Sequence, residues 1–126
     1  MELCVSDEDL APGDLVSLVP GSDVQVTRAS RENAPMVFGV VAGIREQAGE
    51  ERFLVTIYGR AQCNITGSIT AGDLLSVSED AAGCAAKVEQ TDRLFRPGSI
   101  LGKALDSYDA DDEGSVGTIT ILVALQ

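Results

Sequence analysis

The sequence predicts a small all-β fold, a barrel or a sandwich, on three observations. Thirteen glycines are spread along its 126 residues. Apolar residues do not recur at a spacing of three and four over any long window, so helix signals are weak. Nine short apolar or β-branched segments are separated by Gly and Pro, which is typical of such folds. The length favours one domain, residues 1–126.

The nine predicted strands follow one another in short steps. The first two come after the turn pairs Pro12-Gly13 and Pro20-Gly21. Segment 36–41 is almost wholly apolar and predicts a buried strand. Segment 44–52 is polar and of mixed charge, so we expect a mobile hairpin loop or the rim of a partner contact. The strands are 14–19, 23–28, 36–41, 52–58, 62–65, 73–78, 85–89, 99–105 and 118–125.

The turns before two of these strands repeat one another. The tripeptide Gly-Asp-Leu begins at Gly13 and again at Gly72, 59 residues later. Glycine accepts the positive φ of a tight turn, and aspartate hydrogen-bonds its own turn backbone. We therefore expect structural roles for Asp14 and Asp73. A paired catalytic carboxylate would require the two halves to bring them together, and nothing else in the sequence supports it.

A glycine at the centre of an apolar strand repeats as well. Gly39 and Gly102 lie 63 residues apart, and the small difference from 59 fits loops of unequal length. We predict two copies of one four-strand unit related by a pseudo-twofold axis. Residues 1–9 form an N-terminal lead, 10–65 the first repeat and 66–126 the second.

Charge and composition exclude several classes of function. Twenty acids against nine bases give a net charge of −11, which argues against nucleic acid or an anionic membrane as partner. Histidine is absent, which removes His-based catalysis and most zinc sites. The odd set Cys4, Cys63 and Cys84 has no CxxC spacing and predicts free thiols in a reducing compartment. The acidic start does not match a signal peptide and no apolar run spans a bilayer, so we expect synthesis in the cytoplasm.

The motifs of the second half carry a family resemblance. The segments are Ile69-Thr-Ala-Gly-Asp-Leu-Leu, Arg96-Pro-Gly-Ser-Ile-Leu-Gly-Lys-Ala-Leu and Gly117-Thr-Ile-Thr-Ile-Leu-Val-Ala-Leu-Gln. They resemble the all-β module that ends many phage tail-fibre-like and bacterial surface proteins, and the first half agrees through its own Gly-Asp-Leu. A second resemblance is to the capsid-decoration, or capsid-stabilising, proteins of tailed phages. Both imply assembly, commonly as trimers, without catalysis.

The resemblance favours a homo-oligomeric structural module, a trimer, within a phage-like virion or surface assembly. The interface candidates are Val37, Ile100, Ile121 and Lys103. Lys103 lies in an apolar strand, and alternation would point Leu101 and Leu105 the same way. Its amine then reaches water along a packed stem, or pairs with an acid across an interface.

Two other functions stay open at the level of sequence. One is a monomeric binding module that recognises a cell-surface ligand through loops 44–52 and 106–114. The other is a self-cleaving Ser/Lys peptidase-like domain, with Ser99 or Ser107 acting beside Lys103.

No cofactor is expected, apart from a weak calcium site at Asp109, Asp111 and Glu113. Their spacing matches the first half of an EF-hand loop. Position twelve would be Thr120, which lacks the bidentate carboxylate. The alternative is a solvated hairpin loop before the last strand.

Overall fold

A computed structural model describes residues 2–22, 24–88, 100–111 and 115–125. The described part is all-β, as the sequence predicted, with a single 3-10 helix at Arg31–Met36 and no α-helix. The strands are β1 Glu2–Cys4, β2 Leu15–Leu18, β3 Val26–Arg28, β4 Val37–Gln47, β5 Glu50–Thr56, β6 Tyr58–Thr66, β7 Leu74–Val77, β8 Ala85–Lys87, β9 Ile100–Ala104 and β10 Val116–Ala124.

The first five strands form one sheet in the order β1-β5-β4-β2-β3. An isolated parallel bridge between Val5 and Gln25 joins its two ends. Val5 donates its N–H to the Val24 carbonyl at 2.9 Å, and Val26 donates to the Val5 carbonyl at 2.8 Å. The first sheet therefore curls back on itself.

The last five strands form a closed barrel in the order β10-β6-β8-β7-β9. Its longest ladder is antiparallel and runs from Tyr58 opposite Ala124 to Thr66 opposite Val116. A single parallel pair, Ile65 with Ala85, completes the closure. Closure leaves this sheet without an edge strand.

The same pairings occur in both sets of strands. β2 lies between β3 and β4, and β7 lies between β8 and β9. Gly13 donates its N–H to the Val41 carbonyl and Gly72 to the Ala104 carbonyl, each at 2.8 Å. The register shifts at matching places, between Val16 and Ser17 in β2 and between Leu75 and Ser76 in β7.

The break between the two sets differs from the predicted boundary at residue 65. β6 lies inside the predicted first repeat, yet it pairs with β10 and β8. The break falls at Ile57, between β5 and β6. Residues 1–9 are also more than a lead, because β1 pairs with β5. Among the described residues each set therefore has five strands, where the sequence predicted four.

The predicted loop at 44–52 is mostly strand. β4 and β5 pair as far as Gln47 opposite Glu50. They are joined by Ala48 and Gly49, both at positive φ, which is the conformation of a two-residue hairpin turn. The sequence missed these strands because the exposed tip of the hairpin has no buried side for an apolar alternation to mark.

Two hydrophobic clusters fill the fold. The larger lines the barrel and also takes in Leu15, Val37 and Val40 from the first sheet. The smaller lies within the first sheet, around Val16 and Phe53. Adjacent residues of β2 enter different clusters because successive side chains of a strand point to opposite sides. The first sheet and the barrel thus share the larger cluster, and the smaller one belongs to the first sheet.

Candidate functional site

Asp14 lies at the joint between the first sheet and the barrel. Its Oδ2 accepts the N–H of Ala11 at 2.9 Å, and its Oδ1 accepts Nδ2 of Asn64 at 3.2 Å. Arg28 Nε lies 3.5 Å from the same carboxylate. Asn64, on β6, also donates its N–H to the Gly13 carbonyl at 2.9 Å. These contacts bind the turn before β2 to the barrel.

Asp73 occupies the matching turn before β7. Its Oδ2 accepts the N–H of Thr70 at 2.9 Å, as Asp14 accepts that of Ala11. Within the described residues, no hydrogen bond joins Asp73 to Asp14. Each carboxylate thus holds its own turn. Gly13 and Gly72 have φ of +97° and +98°, which favours glycine in both turns.

An ion-pair network fixes the N-terminal segment to β3. Glu8 accepts hydrogen bonds from the Thr27 hydroxyl and from the Arg28 N–H, the latter at 2.8 Å. Arg28 NH1 lies 3.3 Å from its other oxygen, and Arg28 also donates to the Asp9 carbonyl. The Thr27 hydroxyl is the main cause that lowers the pKa of Glu8, with Arg28 adding to it. These contacts hold the N-terminal segment against β3, which is a structural role.

The three cysteines are free and buried. Burial is the main cause that raises the pKa of Cys63, and the nearby Cys84 and Asp14 raise it further. Burial also raises the pKa of Cys4 and Cys84. Buried thiols with raised pKa values are poor nucleophiles, because the thiolate is the reactive form.

Three of the four predicted interface residues lie in the core instead. Val37, Ile100 and Ile121 are at most 6% exposed within the single chain, and Val37 and Ile121 belong to the barrel cluster. Their side chains are therefore covered within the chain itself, and a role for them in an interface stays a prediction. A fully apolar strand looks the same in sequence whether it faces a core or an interface.

Lys103 differs from these three because it is exposed. Leu105, directly after β9, is also exposed, but Leu101 is fully buried. The register of β7 against β9 pairs Gly102 and then Ile100, so Leu101 has no partner between them. This irregularity reverses the expected direction of Leu101.

Lys103 belongs to a surface that we call the barrel face: Tyr58, Arg60, Leu74, Lys103, Leu105 and Leu122. Leu122 is paired with Arg60 on one side and with Lys103 on the other. Lys103 is in turn paired with Leu74. One row across four strands therefore alternates cation and leucine. Tyr58, near one end of this face, is 78% exposed.

Sequence reasoning missed Tyr58, Arg60 and Leu122. A signal was present, since residues 58–65 alternate from exposed Tyr58 and Arg60 to buried Cys63 and Ile65. The pairing of β6 with β10 was not accessible from that alternation. That pairing joins residues that are at least fifty positions apart in the chain.

The acidic loop after β9 does not form a ligand cluster in the part that is described. Asp109 and Asp111 are exposed, and Glu113 lies outside the described residues. No group of three or more His, Cys, Asp or Glu there could hold a metal ion. The loop is attached by the Ile69–Tyr108 bridge and by Ala110, which donates its N–H to Ser68 Oγ at 3.0 Å.

The predicted Ser/Lys pair is not assembled in the described residues. Ser107 Oγ accepts the N–H of Ala71 at 2.9 Å, and no contact joins it to Lys103. Ser99 lies outside the described residues.

A cleft of about 340 Å³ lies between the N-terminal segment and the β2–β3 hairpin. Asp7 and Glu8 make part of it acidic, while Leu18, Val19 and Val26 supply apolar lining. Asp7 accepts a hydrogen bond from Gln25 Nε2 at 3.1 Å, so its carboxylate is already engaged.

Comparison with known proteins gives a likeness of fold. No protein-family model matches the chain, and no curated protein matches it. Among solved structures, it is similar to the N base of the head fiber protein gp8.5 of bacteriophage phi29. The TM-score is 0.59 at 16% identity, over 98% of this chain and 92% of that chain.

None of the described helices is long and apolar enough to cross a membrane.

Proposed function

We propose that this chain is a non-catalytic assembly module of a phage-like particle, of the head-fibre or decoration type. The observation that carries the proposal is the fold shared along nearly the whole chain with the base of a phage head fiber. The motif resemblances of the sequence point to the same class of protein from independent residues.

The chemistry of the polar groups supports a structural role. Asp14 and Glu8 are engaged with backbone N–H groups and with Arg28. The cysteines are buried. Nucleophilic catalysis would require a side chain that is activated by an adjacent base or by a lowered pKa. Lys103, the lysine considered for Ser/Lys chemistry, is exposed and has leucines as its cross-strand neighbours.

The tandem arrangement also fits an assembly module. We infer that two five-strand units arose by duplication, on the evidence of their matched turns and pairings. The chain assembles with copies of itself, with a trimer as the favoured form. It binds neither nucleic acid nor membrane, and it requires no cofactor.

The test is the mass of the full chain in solution. Light scattering behind size exclusion, at several protein concentrations, should give about three times 13.1 kDa. Millimolar calcium should change neither the mass nor the melting temperature. Calcium bound to the folded state would raise its stability, so an unchanged melting temperature indicates that none binds. A monomer stabilised by calcium would favour the loop-mediated binding module. A chain that is cut in time, and is protected by Lys103→Ala, would favour the peptidase.

A further inference from the structure

The barrel face combines apolar exposure with positive charge. Tyr58 is 78% exposed, Leu74 40% and Leu105 37%. Arg60 and Lys103 are exposed between them. Cross-strand neighbours on one side of a sheet lie within contact distance of each other, so these residues form one continuous surface. The central row crosses four strands and is about 14 Å wide, from strand spacings of about 4.8 Å.

Among the described residues, the two cations of this surface have no acidic partner. The ion pairs of the described residues involve Arg28, Arg31 and Arg52, and neither Arg60 nor Lys103 is among them. The side chains beside Arg60 and Lys103 in the row are leucines rather than acids. A partner that supplies carboxylates would form ion pairs with both Arg60 and Lys103.

A second copy of this chain supplies such carboxylates. Twenty acids against nine bases leave a net charge of −11, so the surface that one copy presents to another carries an excess of carboxylates. The barrel face is a basic and apolar part of that surface. Complementary charge steers two proteins together and fixes their register.

The sign of the charge also decides the kind of contact. Across a twofold axis the same surface meets itself, and the cations Arg60 and Lys103 would then face a surface that carries the same two cations. A head-to-tail contact instead places the barrel face on a different, acidic part of the neighbour. Head-to-tail contacts that close form rings, of which the trimer is one.

We propose that the barrel face is the surface through which one copy binds an acidic part of the next copy, head to tail. This inference rests on the proposed self-assembly and deepens it, because it names the surface and excludes a twofold contact through it.

The experiment reverses charge on the barrel face and at a matched control. Arg60→Glu and Lys103→Glu change exposed residues of β6 and β9. Arg45→Glu changes an exposed arginine of β4, in the first sheet, and serves as control. Tyr58→Ala tests the apolar part. Circular dichroism and melting temperature establish that each variant folds, and light scattering over a dilution series gives its dissociation constant.

We expect Arg60→Glu and Lys103→Glu each to weaken assembly at least tenfold and Arg45→Glu to change it less than threefold. We expect Tyr58→Ala to weaken it without changing its salt dependence. Raising the salt concentration should weaken the wild-type assembly, because exposed charges are screened.

The outcomes separate the two proposals. An oligomer that survives Arg60→Glu, Lys103→Glu and Tyr58→Ala overturns this inference and leaves the proposed assembly standing. A monomeric wild-type chain overturns both. A dimer as the terminal species, weakened by the barrel-face variants, overturns the head-to-tail geometry.

Discussion

The substitution Gly102→Ala tests how closely β9 and β10 approach each other. A Cβ built on Gly102 would lie closer than 3.0 Å to the Leu122 carbonyl oxygen, a backbone atom. Carbon and oxygen normally stay about 3.3 to 3.6 Å apart. The backbone cannot rotate away as a flexible side chain would. The two strands must therefore separate where they pair.

The expected loss of stability follows from that separation. β9 and β10 pair over three residues, Gly102 to Ala104. Losing two of their hydrogen bonds costs about 2 kcal/mol, at about 1 kcal/mol net for each bond. Overpacking adds about 1 to 3 kcal/mol. We expect a decrease of about 4 kcal/mol in the free energy of unfolding.

Urea unfolding followed by circular dichroism measures this decrease. With a slope of about 2 kcal/mol/M, the midpoint should fall by about 2 M. Gly21→Ala is the control, since Gly21 has a φ of +87° and no atom within 4 Å of the added Cβ. It should cost about 1 to 2 kcal/mol from backbone strain alone. If Gly102→Ala costs no more than Gly21→Ala, the proposed close approach is wrong.

Three further predictions concern buried and paired groups. Ser17→Ala should raise the free energy of unfolding by about 1 kcal/mol, because Ser17 Oγ is buried without a hydrogen-bond partner among the described residues. A lower free energy of unfolding would reveal a hydrogen bond to that oxygen. The pKa of Glu8 is lowered from 4.5 on folding, so its stabilisation is present above pH 4.5 and is lost as pH falls through the folded value. Glu8→Gln should therefore flatten the loss of melting temperature below pH 4.5. The control Glu51→Gln changes an exposed residue and should have the same dependence of melting temperature on pH as the wild type. Cys63 should resist a thiol reagent in the native protein and react quickly in urea, because its sulfur is buried and its pKa is raised; rapid native labelling would contradict its burial.

Some of the candidate site was available from sequence and some was not. Lys103 was singled out because a lysine in an apolar strand is unusual. Val37 and Ile121 were assigned to an interface, yet they lie in the core. Sequence apolarity reports that a side chain avoids water and does not report which surface covers it. Arg60 joins Lys103 only through Leu122, a neighbour 62 residues away in the chain.

Local chemistry is what the sequence by itself determined. Turn glycines at Gly13 and Gly72, their aspartates and the apolar alternation predicted an all-β fold, because φ preferences and side-chain alternation act over a few residues. Tertiary structure alone decided that β6 joins the later strands and that β1 joins the earlier ones. It also decided that residue 102 must be glycine, because the Leu122 carbonyl oxygen occupies the space that a Cβ would need. Strand partners are chosen by packing between distant segments, and that choice has no signature within any one of them.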